Sequence, residues 1–192
     1  MKNNKLFLIL GKSASGKTTI LNDVLSKLEI PLLLSNTTRP KRDNEIDGID
    51  YNFVTMSDFD TDYKNEDILE YDVFRIDSIR QSWVYYTKKS DLSLDTTSQI
   101  KIVSPTGLAQ LMSNKELKDN IVSIFIDCPD RLRKKRYLTR CTSPDNMNDR
   151  FARDEKAFQH LFTDYIILND ENTSIHEASN QLINIIEREL RN

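Results

Sequence analysis

Apolar residues fall in short blocks separated by polar turns, and the spacing within each block predicts an element. Leu6-Phe7-Leu8-Ile9-Leu10 is a continuous apolar run, as expected of a strand covered on both faces, and the stretch Thr19 to Leu28 behind it is amphipathic at helical spacing. Ile30-Pro31 breaks that pattern and Leu32-Leu33-Leu34 reads as a second short buried strand, giving a parallel β-α-β unit. Ser57 to Tyr63, opening Ser-Asp-Phe, predicts a capped helical turn, and Ile68 to Phe74 and Trp83 to Thr87 predict strands. Gln99 to Leu108 reads as a strand running into a helix, Ile121 to Asp127 as a buried strand, and Asp164 to Asp170 as a last short strand. Thr173 to Leu190 closes the chain as a helix with Ile175, Ala178, Leu182, Ile185, Ile186 and Leu190 on one face. The alternation predicts an α/β fold with a central parallel sheet flanked by helices.

Composition narrows this picture. With 192 residues, 38% hydrophobic, 30% charged and a net charge of -3, the chain suits one domain, too apolar for disorder and too balanced for general nucleic-acid binding. The longest apolar run near the N-terminus, Leu6 to Leu10, falls far short of a membrane span or a signal-peptide core, so a cytoplasmic protein without membrane contact is expected. Cys128 and Cys141 form no CxxC motif and have no histidine at ligand spacing, so both read as free thiols, Cys128 as a buried one. His160 and His176 fall in helical, polar segments and receive no chemical role.

The chemistry starts between the first strand and the first helix. Gly11-Lys12-Ser13-Ala14-Ser15-Gly16-Lys17-Thr18 has the spacing of a phosphate loop, in which backbone N–H groups turn inward around an anion and the helix N-terminus adds its positive end. Lys17 can reach the outer phosphates of a nucleoside triphosphate, and the Thr18 hydroxyl can hold a Mg²⁺ ion between them. A polar, basic stretch, Ser35-Asn36-Thr37-Thr38-Arg39-Pro40-Lys41-Arg42, leaves the sheet on the same edge. Arg39 and Arg42 there suit either a second anion or a solvated basic turn.

Ser-x-Thr-Thr-Arg-x-x-Arg from Ser35, followed by Asp-Gly-x-Asp-Tyr-x-Phe-Val from Asp47 to Val54, behind this phosphate loop, resembles guanylate kinase. The resemblance spans Leu6 to Asn169 and implies ATP-dependent phosphorylation of GMP to GDP with Mg²⁺. It divides the chain into a core (1–34, 88–130 and 160–192), a small mixed α/β monophosphate-binding insert (35–87) and a helical lid (131–159). Gly11, Ser13, Ser15, Gly16, Lys17, Thr18 and Thr19 would hold ATP, and Arg39, Arg42 and Tyr51 the GMP phosphate. Glu70 lies among apolar neighbours, which suits either a solvated edge or a donor-rich ligand, and it matches the glutamate that accepts from guanine N1 and the exocyclic amine. Tyr85 would contact phosphate, and Thr87 would contact guanine beside Ser35.

The basic cluster from Arg131 to Arg140 and the later Arg150 match the lid, with Arg136, Arg140 and Arg150 over ATP. Lys17, Arg42, Arg140 and Arg150 would then surround the transferred group. Arg131, Arg133, Lys134, Lys135 and Arg153 read as a solvated face. Asn169 matches an asparagine beside adenine. Four positions depart from the family pattern. Tyr86 and Cys141 replace glycines, so at Tyr86 either the local backbone or pocket wall differs or the aromatic stripe is core packing for the small sheet, and alignment on Gly107 puts Ile102 and Ser104 where the family carries an Asp-x-Asp pair. Either Mg²⁺ is held by Thr18, phosphates and water, or activity is reduced, and base selectivity is relaxed. A kinase of the same fold for dGMP, a modified nucleotide or a phosphosugar, a guanylate kinase-like binding module, and an ATP-hydrolysing switch are the competing readings. A monomer or homodimer is expected.

Overall fold

The computed structural model describes residues 4–76, 81–140 and 147–191, apart from the side chains of Ile76 and Arg140. Two sheets organise them. The first contains β1 (Leu6–Leu10), β6 (Gln99–Ile102), β7 (Ile121–Asp127) and β8 (Tyr165–Leu168), all parallel, in the order β6-β1-β7-β8. Every residue of β1 is fully buried, and its side chains alternate between two apolar layers as the period of a strand requires. Phe7 and Ile9 face Ile20, Leu21 and Val24 of α1 (Lys17–Leu25) and Ala178, Leu182 and Ile186 of α6 (Ile175–Arg191). Leu6, Leu8 and Leu10 face Leu108 and Leu111 of α3 (Pro105–Ser113). The sheet is therefore sandwiched between helices, and β1 ends in its middle, where the phosphate loop begins.

The second sheet has the order β3-β2-β5-β4, from β2 (Asn36–Thr37), β3 (Asn52–Phe53), β4 (Ile68–Ile76) and β5 (Gln81–Lys88). The long antiparallel β4-β5 pair supplies most of it, and α2 (Met56–Lys64) packs on one face through Phe59. A reciprocal Thr55-Asp58 capping box fixes where α2 starts. Finally α4 (Asp130–Arg140) and α5 (Met147–Phe158) follow β7.

Three expectations change. Leu32-Leu33-Leu34 forms no full strand: it makes one parallel bridge, Leu32 to Ile100, at the open edge of β6. The first helix starts at Lys17 and ends at Leu25, and His160 lies in the turn after α5. Between the two readings of Tyr86 the structure takes core packing. On β5 it alternates with Tyr85 and Thr87, so its ring turns to the opposite face, packs edge-on to Phe59 at 5.1 Å and donates its hydroxyl to Asp62 at 2.8 Å. Cys128 is buried at the end of β7 as expected, and Cys141 lies outside the described residues.

Candidate active site

The phosphate loop curls between Leu10 and Lys17 with two residues in left-handed backbone, Ala14 at φ 59° and Gly16 at φ 93°. Gly16 meets the steric demand without strain, and a Cβ there would run into Asn169 Nδ2. Lys17 folds back over the loop, donating from Nζ to the Gly11 carbonyl at 2.5 Å and the Lys12 carbonyl at 3.1 Å. Ser15 Oγ is buried without a partner, an orphaned polar atom inside the curl. Thr18 and Thr19 are exposed on the first turn of α1.

Side chains from the far end of the chain close around this loop. Asn169, at the end of β8, donates from Nδ2 to the Ser15 carbonyl at 2.7 Å. Arg136 reaches the same carbonyl and Asn169 Oδ1, each at 3.4 Å. Gly16, Thr19, Arg136, Thr139, Asn169 and Ile175 line a cleft of about 230 Å³ beside the helix N-terminus. From α5, Arg150 Nε donates to Ser13 Oγ at 2.7 Å. The backbone of Arg140 ends α4; its side chain lies outside the described residues.

The second basic cluster is built on β2, β5 and the loop between β2 and β3. Arg39, only 5% exposed, donates from Nε to the Tyr85 hydroxyl at 2.9 Å and from NH1 and NH2 to the two Glu45 oxygens at 3.0 and 2.7 Å. Its guanidinium also sits 5.6 Å from the Tyr51 ring centroid. Burial works against the Arg39 charge, yet the bonds to Glu45 and Tyr85 more than offset it and raise its pKa. Burial likewise opposes the Glu45 carboxylate, and bonds from Arg39 and the Arg42 N–H hold it below the usual range. Arg42 Nε is buried without a partner, a donor still unspent.

The Arg150 charge is felt in the second cluster as well. Desolvation pushes the Tyr51 phenol up to about 12, and the nearby Arg39 and Arg150 charges pull against that rise. One α5 guanidinium thus touches the phosphate loop through Ser13 and also acts electrostatically on Tyr51 in the other cluster.

Further along the second sheet, Glu70 on β4 is 5% exposed and lies opposite Thr87, whose hydroxyl donates to Glu70 Oε1 at 2.7 Å. Lys101, on β6 of the other sheet, is fully buried; its Nζ reaches Glu70 Oε1 at 3.2 Å and Ser35 Oγ at 2.7 Å. Burial depresses the Lys101 pKa, and Glu70 opposes that effect. Ser35, Glu70 and Thr87 therefore converge. Ile102 packs with the core and Ser104 caps α3, accepting from the Gly107 N–H at 3.1 Å.

Three functional-site residues were not singled out from sequence. Glu45, three residues after Arg42, organises both arginines. Lys101 sits in a strand where its neighbours Ile100 and Ile102 suggested only core. Arg133 overturns the solvated-face reading: it is fully buried, donating to the Ser13 carbonyl at 3.0 Å, Asp130 Oδ1 at 2.5 Å and Asp154 Oδ2 at 2.7 Å, and it stacks 4.4 Å from the Phe151 ring centroid. Asp154 in turn accepts from the Ser13 N–H at 2.6 Å, tying α4 and α5 to the loop. Arg131 stays exposed and pairs with Glu171, as a solvated face requires, whereas Arg153 donates to the Arg75 carbonyl at 2.7 Å.

Comparison with known proteins converges on one family. The sequence model described as guanylate kinase matches residues 3–189. A guanylate kinase of Fusobacterium nucleatum is 29% identical over 191 residues, covering 97% of this chain and 98% of that protein. That of Sulfurimonas denitrificans is 30% identical over 185 residues, covering 94% of this chain and 86% of that one. The fold matches the crystal structure of guanylate kinase from Anaplasma phagocytophilum with a TM-score of 0.73 at 23% identity, over 100% of this chain and 89% of that one. A phosphate loop, a second cluster of arginines and this continuous family match lead to one conclusion: the chain belongs to the guanylate kinase family.

Proposed function

We propose that the protein transfers the γ-phosphoryl group of ATP to the phosphate of GMP, giving ADP and GDP. The observation that carries this reading is the presence of an anion loop, with Arg150 donating to its Ser13, and a separate arginine cluster, each holding an orphaned buried polar atom, Ser15 Oγ and Arg42 Nε. Two such cradles suit two phosphates brought end to end. An oxygen of the GMP phosphate attacks the γ-phosphorus, the bond from that phosphorus to the β-bridging oxygen breaks, and ADP leaves with the electron pair. The acceptor phosphate has a second pKa of about 6 and needs no strong base, so the work is positioning and charge neutralisation.

In this reading Gly11 to Thr18 cradles the ATP phosphates, and Lys17 exchanges its two carbonyl bonds for phosphate oxygens. The cleft beside Arg136 and Asn169 takes the adenosine end. Arg39, Arg42, Tyr51 and Tyr85 hold the GMP phosphate, with Arg42, Arg140 and Arg150 completing the charge around the transferred group. Ser35, Glu70 and Thr87 read the base. No group of three or more His, Cys, Asp or Glu side chains poised for a metal exists among the described residues, and the exposed Thr18 hydroxyl fits the single protein ligand that Mg²⁺ accepts when phosphates and water fill its shell. Bound Mg²⁺ would neutralise phosphate charge. Family membership supports action in the cytoplasm, and no helix among the described residues is long and apolar enough to cross a membrane.

The test is ADP release coupled to product chromatography. ADP and GDP should form in equal amounts and only when ATP and GMP are both present. ADP formed without any acceptor, or no turnover with both, would refute the proposal.

A further inference from the structure

Lys101 crosses from the core sheet into the base pocket, and its chemistry constrains every partner it has. An ammonium can only donate. Because Lys101 Nζ donates to Ser35 Oγ at 2.7 Å, the Ser35 hydrogen cannot point at Lys101 and is available to donate elsewhere. On the other side, Glu70 Oε1 already takes the Thr87 hydroxyl at 2.7 Å and Lys101 at 3.2 Å, which occupies both of its in-plane lone pairs. Only Glu70 Oε2 takes no hydrogen bond from the described residues. It lies over Gly107, where an added Cβ would come within 2.6 Å of it. The site therefore presents a hydroxyl able to donate beside a carboxylate oxygen that can only accept.

Resting on the GMP-kinase reading above, we infer that Lys101 makes this a 6-oxopurine monophosphate site, one that phosphorylates IMP nearly as well as GMP. A donor beside an acceptor matches the 6-oxo group and the N1–H, which guanine and hypoxanthine share. Adenine presents the reverse order and is refused. The exocyclic 2-amino group of guanine, by contrast, finds no carboxylate oxygen of its own. Glu70 cannot grip N1–H and the amine together without giving up Lys101 or Thr87, and the Ser104 hydroxyl is spent on the Gly107 N–H. Asp72, the next residue on the same face of β4, stands opposite Tyr85 and so lies towards the phosphate cluster, away from that amine. What remains is the Thr87 hydroxyl oxygen, a neutral acceptor worth about tenfold or less. A site with a dedicated buried acceptor would instead reject the analogue lacking that N–H by about 10⁴-fold or more.

The experiment measures kcat/KM for GMP, IMP and AMP with saturating ATP, in the wild type and in Lys101→Met. For the wild type, GMP should exceed IMP by no more than about tenfold, with AMP far below both. In Lys101→Met, Glu70 Oε1 and the Ser35 hydroxyl are released, so the GMP:IMP ratio should rise by about tenfold or more and AMP rejection should weaken. If Lys101 only supported the fold, the variant would lose activity towards all three in proportion and the ratios would not move, which would overturn the inference. Should the variant not fold, the wild-type ratio still decides: GMP turnover with IMP more than about tenfold poorer overturns the inference and leaves the kinase reading intact. Turnover of neither GMP nor IMP overturns that reading and the inference with it.

Discussion

Replacing Arg133 by methionine isolates the contact that binds α4 and α5 to the phosphate loop. Methionine keeps much of the apolar stem against Phe151 and removes the charge. Of the three carboxylates near the guanidinium, Asp130 and Glu155 are about half exposed, so water can take them over at little cost. Asp154 is mostly buried and loses the Arg133 guanidinium, keeping its bonds from the Ser13 N–H and hydroxyl. Removing one partner of a buried pair costs about 3–5 kcal/mol, and the Ser13 N–H tether puts this case near the lower end, about 3 kcal/mol with the lost bond to the Ser13 carbonyl included. At about 2–4 °C per kcal/mol for a domain of this size, Tm should fall by about 6–12 °C. Calorimetry on the folded variant reads this directly, with KM for ATP rising more than KM for GMP because the loop is the part disturbed. A Tm within about 2 °C of the wild type would refute the reasoning, since a solvated arginine would behave that way.

Other outcomes follow from the same contacts. Lys17→Ala should cut kcat by about a hundredfold or more while lowering Tm far less than Arg133→Met does, because the Lys17 ammonium is half-buried at the loop and bonds the Gly11 and Lys12 carbonyls; near-normal turnover would count against its role. Tyr86→Gly, which restores the residue type of the family pattern, should destabilise by about 3–5 kcal/mol through an emptied site against Phe59 and yet leave KM for GMP within about threefold, as measured by denaturant unfolding and steady-state kinetics. Acid should also weaken the arginine cluster. Glu45 has a folded pKa below its ordinary 4.5, so its contribution is complete above that value and is lost as pH falls through the lower folded one; Glu45→Gln should flatten that part of the stability profile.

Elements with a strong period were legible in the sequence. Continuous apolar runs gave β1 and β7, and the six-residue apolar face of the last helix gave α6, because burial on two faces or one stripe leaves a pattern that neighbours cannot erase. Leu32-Leu33-Leu34 misled because three apolar residues specify burial without specifying a ladder; only one bridge forms. The site divides in the same way. Gly16, Lys17, Arg39 and Glu70 stand in motifs whose spacing carries their chemistry. Arg133 and Lys101 do not, since a long cation gives no sign of its partner until its anion is known, and those anions come from elsewhere in the chain: Asp154 lies 21 residues beyond Arg133, and Lys101 finds Glu70 on the other sheet. The fate of Tyr86 was likewise set by α2, whose Phe59 takes the ring on the face away from the pocket.

The central claim is that the glycine loop around Lys17 and the arginine cluster around Arg39 and Arg42 face each other closely enough to pass a phosphoryl group between them. A bisubstrate compound, adenosine and guanosine joined 5′ to 5′ through a chain of five phosphates, tests it by calorimetric titration. If both cradles engage one molecule, its Kd should lie at least about a hundredfold below those of ATP and GMP alone, and either Lys17→Ala or Arg39→Lys should abolish most of that gain. Binding no tighter than ATP alone, insensitive to Arg39→Lys, would contradict it.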